Sequence, residues 1–113
     1  IDALLAQQFP ANGGEPKVLH VSQGFGFHWK ADAAGKGSVV PGSVKLNGQP
    51  LVATKTYRLV TNNFLASGGD GFTAFRAGKD EISAGGDVDA LEAYFGAHTP
   101  VKPPTGGRVV RDK

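Results

Sequence analysis

Residues 25–30 read Phe-Gly-Phe-His-Trp-Lys, with an aromatic side chain at every second position. In an extended chain successive side chains point to opposite faces. Phe25, Phe27 and Trp29 therefore share one side, and Gly26, His28 and Lys30 the other. This is the pattern of a half-buried strand, so the chain must build a sheet with one face covered.

The flanking segments suggest how. Ile1, Leu4, Leu5 and Phe9 recur at spacings of three and four, which predicts the end of a helix over residues 1–9. Pro10 and Asn12-Gly13-Gly14 stop it. Residues 17–22 (KVLHVS) predict a strand that forms an antiparallel hairpin with 25–30. Residues 43–46 and 49–52 predict two short strands around an Asn47-Gly48 turn. Residues 57–62 (YRLVTN) predict a central strand. Residues 87–97 predict a helix with Asp87 as N-cap and Val88, Leu91, Tyr94 and Phe95 on its buried face. Arg108-Val109-Val110 predicts a last strand. Hairpin connections dominate, so the expected class is α+β, a mixed or antiparallel sheet with flanking helices. No second domain or internal repeat is visible, and residues 1–113 are expected to form a single domain.

Charge and composition exclude several function classes. The formal net charge of +2 is small and no run of basic residues exists, so no nucleic-acid partner is expected. The absence of cysteine excludes disulfides and thiolate zinc sites. His20, His28 and His98 have no metal-ligand spacing. No apolar run approaches the roughly 20 residues of a membrane span. A chain that starts at Ile1 and contains no methionine is expected to be a processed product or an excised segment, truncated at its N-terminal side.

The most distinctive stretch is residues 62–75, where glycines and an aspartate sit inside an aromatic frame. Glycines in such a loop predict positive φ or close approach of the backbone. Taken alone, Phe64 would be a core residue and Asp70 a turn residue; Phe72 and Phe75 are expected in the core. Gly35-Lys36-Gly37-Ser38 lacks the spacing of a phosphate loop.

In order, Asn47-Gly48-Gln49-Pro50-Leu51, Lys55-Thr56-Tyr57-Arg58 and Asn62-Asn63-Phe64-Leu65-Ala66-Ser67-Gly68-Gly69-Asp70-Gly71-Phe72 resemble the C-terminal, substrate-binding domain of the 5′-nucleotidase family. The likeness extends over nearly the whole chain. The sequence departs from the common pattern at Val52-Ala53 and at Asn63, and neither departure replaces Phe64 or Asp70. The resemblance implies that Phe64 is one of two rings that stack on a nucleotide base and that Asp70 is the carboxylate that accepts the ribose hydroxyls. Asn62, Gly68, Gly69 and Gly71 would support the loop. The second ring would lie upstream of Ile1, which leaves this segment half a clamp.

The resemblance further implies a parent phosphohydrolase, periplasmic, cell-wall associated or secreted. Its N-terminal metallophosphoesterase domain would hold two divalent metal ions and hydrolyse the phosphate ester. The segment itself is then expected to bind nucleotide or nucleoside, to carry no catalytic residue, metal ligand or cofactor, and to be inactive alone. Relatives acting on UDP-sugars, cyclic nucleotides or nucleoside diphosphates, or sitting inside secreted nucleases, leave the substrate open. A non-catalytic ligand-binding module is the reading from a different class.

Overall fold

The computed structural model describes residues 1–113. Its elements run in the order α1 (Asp2–Ala6), β1 (Phe25–Ala31), β2 (Gly37–Val39), β3 (Lys45–Leu46), β4 (Gln49–Pro50), α2 (Asn63–Ala66), two 3-10 turns (Gly69–Gly71 and Thr73–Ala77), α3 (Asp87–Ala97) and β5 (Val109–Arg111). The fold is α+β, with a five-stranded mixed sheet.

β1 organises the sheet. One of its edges takes β2 and then β3, both antiparallel. The other takes β5, in parallel. Trp29 faces Val39 and Gly26 faces Lys45, so three steps along β1 are answered by six on the partner chain. The extra residues bulge out at Pro41-Gly42, where Gly42 has φ +75°. A bulge leaves ladder groups unpaired. Here the Ser43 hydroxyl repairs the gap: it accepts from the His28 N–H at 3.0 Å. The Asn47-Gly48 turn closes β3 onto β4 with both residues in the left-handed region (φ +50° and +79°), as a two-residue hairpin of this kind requires.

The core lies between α1, the sheet and the loop after α2. Leu4, Leu5, Phe9, Phe27 and Phe72 are its buried apolar members, with Phe27 and Phe72 each 1% exposed. Phe9 packs on Trp29 at 5.3 Å between ring centres, and its ring covers Gly37, where a side chain would overlap it. The alternation expected for residues 25–30 is present: Phe27 is buried and Phe25 and Trp29 are half-buried, while His28 and Lys30 are exposed. Phe72 and Phe75 pack together in or beside the core, 6.3 Å apart.

Three expectations need correction. Residues 17–22 form no strand and no hairpin with β1. Both edges of β1 are occupied by other strands, and 17–22 instead hangs on the turn after α1, with Lys17 N–H donating to the Gln8 carbonyl at 2.9 Å. Residues 57–62 form no ladder either, and Val60 is 96% exposed. A β-rich composition favours a strand only where a neighbouring strand is available to pair with. α3 has the expected bounds, but Val88, Leu91, Tyr94 and Phe95 are exposed rather than buried, because no element packs over that helix.

The end details of α3 also differ. Its N-cap is Gly86; Asp87 is the first helical residue and accepts from Val88 N–H at 2.8 Å. Asp87 and Asp89 in the first turn favour the helix dipole. At the other end the His98 ring stacks on Tyr94, with Nδ1 3.0 Å from the Tyr94 carbonyl.

Candidate functional site

Residues 62–76 wrap one short helix and a glycine-rich loop around a single arginine. Asn62 caps α2, its Oδ1 accepting from Leu65 N–H at 2.9 Å. The Ser67 hydroxyl donates back to the carbonyls of Asn63 and Phe64, both at 3.0 Å. Gly68 then ends the helix in the left-handed region (φ +88°), the usual glycine exit. Arg76 reaches back over this exit and donates to the Ser67 carbonyl at 2.8 Å. A Cβ on Gly68 would meet the Arg76 guanidinium at 2.6 Å.

This exit packs the Phe64 ring against Gly69, the residue before Asp70. A Cβ on Gly69 would lie 2.6 Å from both the ring tip and the carbonyl oxygen of Phe64. Only a bare Cα lets the Phe64 ring settle there, beside the residue that precedes Asp70. Phe64 as a residue is nevertheless 55% exposed. Asp70 follows with φ +55°, a conformation that Asp tolerates better than most side chains.

The carboxylate of Asp70 has one charged partner. Lys17 Nζ lies 3.2 Å from Asp70 Oδ1 and 3.4 Å from the Asp70 carbonyl oxygen. Both side chains are about half exposed, so the pair stabilises the fold by only about 0–1 kcal/mol. Its importance is in its location. Lys17 and Asp70 border an open cleft of about 500 Å³, which Ala6, Gln7, Phe9 and Pro10 also line.

Two adjacent glutamines of α1 and its C-terminal turn hold the two sides of this cleft. Gln8 is completely buried. Its Oε1 accepts from Leu19 N–H at 2.7 Å and its carbonyl from Lys17 N–H at 2.9 Å, which fixes the Lys17 backbone. Gln7 faces the other way. Its Nε2 donates to Thr73 Oγ1 at 2.7 Å and its Oε1 accepts from Ala74 N–H at 2.9 Å, which fixes the chain just after Asp70.

The predicted residues Asn62, Phe64, Gly68, Gly69, Asp70 and Gly71 thus lie on α2 and the glycine-rich turn that follows it. Lys17, Gln7, Gln8 and Arg76 were missed. For Lys17 no local signal exists, since it lies 53 positions from Asp70. For Arg76 the signal was a lone basic residue closing a glycine-rich turn. No group of three or more His, Asp or Glu side chains comes together anywhere in the chain, and the residues present do not fit a dimetal centre.

Residues 1–77 match the family model described as 5′-nucleotidase, C-terminal domain. The chain belongs to this family. Among curated relatives, an apyrase from Tabanus yao is 42% identical over 62 residues, 54% of this chain and 11% of that protein. Protein UshA from Yersinia enterocolitica is 40% identical over 60 residues, 52% of this chain and 11% of that protein. Protein UshA from Escherichia coli is 31% identical over 98 residues, 86% of this chain and 16% of that protein. The chain spans less than a fifth of the length of these relatives. No solved structure matches it significantly.

Proposed function

We propose that this chain is the nucleoside-holding part of a 5′-nucleotidase-type phosphohydrolase. Phe64 offers its open ring face to the base, and Asp70 accepts hydrogen bonds from the ribose hydroxyls. The observation that carries the reading is the loop 62–71. It matches the 5′-nucleotidase C-terminal family by sequence, and it carries a half-exposed phenylalanine packed against Gly69 and a half-exposed carboxylate on the following residue. Stacking of a base on an aromatic ring contributes roughly 1–3 kcal/mol, and a hydrogen bond to a charged group about 1.5–3 kcal/mol. Together they support weak, specific binding by half a clamp.

The hydrolytic chemistry belongs to the remainder of the parent protein, in a metallophosphoesterase domain with two divalent metal ions that would activate water and polarise the phosphate. The role of this chain is to bind and orient the nucleoside end. We place the parent outside the cytoplasm: periplasmic, cell-wall associated or secreted. No helix here is long and apolar enough to cross a membrane. One relative is named an apyrase, which favours including nucleoside di- and triphosphates beside monophosphates in a substrate panel.

The test is an amide NMR titration of the 113-residue chain with adenosine. Saturable shifts centred on Gly68, Gly69, Asp70 and Gly71 are expected. Shifts scattered elsewhere, or none at millimolar ligand, would remove the nucleoside reading. In the full-length parent, Phe64→Ala is expected to raise KM by roughly tenfold with little change in kcat, as for uniform binding. Unchanged kinetics would exclude Phe64 from the site.

A further inference from the structure

Lys17 is the only charged partner of Asp70, and the way it is held gives it more than a surface role. Its ammonium grips Asp70 at two points, the carboxylate Oδ1 at 3.2 Å and the main-chain oxygen at 3.4 Å. Its backbone is tied to the buried Gln8, while the chain beyond Asp70 is tied to Gln7. The two charges therefore stand across one end of the cleft on separately anchored segments.

The hydrogen-bonding inventory of the pair is complementary. An ammonium has three donors and no acceptor, and a carboxylate has about four lone-pair positions and no donor. After their mutual contacts, Lys17 keeps a free donor and Asp70 keeps most of its acceptor positions. A sugar hydroxyl is both donor and acceptor. A lone carboxylate satisfies only the O–H of a diol, whereas a carboxylate with an adjacent ammonium also satisfies a hydroxyl oxygen.

We propose that Lys17 and Asp70 form one diol-recognising dyad. Asp70 accepts hydrogen bonds from the vicinal hydroxyls of a ribose, and Lys17 donates to one of the hydroxyl oxygens. Lys17 is then a determinant of selectivity for ribose over sugars that lack the diol. The inference rests on the nucleoside reading of Asp70 given above. It adds a residue and a selectivity to that reading.

The experiment compares adenosine with 2′,3′-dideoxyadenosine on the 113-residue chain and on Lys17→Met, which keeps the length of the side chain and removes the donor. The wild-type chain is expected to bind adenosine more tightly. Lys17→Met should lose about tenfold in affinity for adenosine, the effect of one hydrogen bond from a charged group. Its affinity for the dideoxynucleoside should be unchanged, which also reports that the variant is folded. An equal loss for both ligands, no loss for either, or tighter adenosine binding would overturn the role of Lys17 and leave the nucleoside reading standing. Failure of the wild-type chain to bind adenosine at all would remove both.

Discussion

Gly69 is the residue against which the Phe64 ring packs, one position before Asp70. Its φ lies outside the left-handed region, so its absent side chain matters for space rather than for backbone freedom. In Gly69→Ala the new methyl would meet a backbone carbonyl, which has little room to give, as well as the Phe64 ring. Overpacking of this kind costs about 1–3 kcal/mol. The variant should unfold at lower urea, and the Phe64 ring resonances should move. Gly71 is the control: its φ is +83° and nothing lies within 4 Å of its Cβ position. Gly71→Ala should cost about 1–2 kcal/mol through backbone strain alone, with the Phe64 resonances in place.

At the scale of elements, α1 works as a bracket. Gln8 is a buried polar side chain with both ends engaged, donating to the Leu5 carbonyl at 2.9 Å and accepting from Leu19 N–H at 2.7 Å. Gln8→Leu keeps the volume but strands Leu19 N–H. A buried donor left unmade costs about 1–3 kcal/mol. The expected result is a lower melting temperature and faster hydrogen exchange at Leu19. Gln7→Ala removes a more exposed bracket and should lower stability by less, about 0.5–1.5 kcal/mol. It should also loosen residues 70–74, seen as lower order parameters there. Equal effects of the two variants on stability would contradict the difference in burial.

At the scale of the molecule, the buried core is small for the length of chain. The accessible surface is 8837 Å², against roughly 5,900 Å² for a folded monomer of this mass. The radius of gyration is 15.5 Å, against about 13 Å for a compact domain of this length. The excess lies in residues 78–107, which are exposed throughout, and in the unpaired run 57–62. Stability should therefore be concentrated in β1 and its neighbours. Phe27→Ala is expected to cost about 3–5 kcal/mol. Leu91→Lys on α3 should stay within about 0.5 kcal/mol of the parent chain by urea unfolding. A large loss from Leu91→Lys would mean that α3 packs on the sheet.

What the sequence determined by itself was local. Alternation placed the buried face of β1, Asn47-Gly48 closed β3 onto β4, the apolar spacing of residues 87–97 gave α3, and the run 62–72 carried the family likeness. Each of these depends on φ/ψ preference or on side-chain period, and both act within a few residues. Pairing was decided by the tertiary structure. β1 chose β2, β3 and β5, which left 17–22 and 57–62 without ladders, and α3 received no cover for its apolar face. The same holds for the charges at the cleft. Lys17 meets Asp70 only because Gln8 holds one segment and Gln7 the other. A contact between residues 53 positions apart leaves no periodic trace in either neighbourhood; it exists only once the segments that carry the two side chains have been anchored on the turn that follows α1.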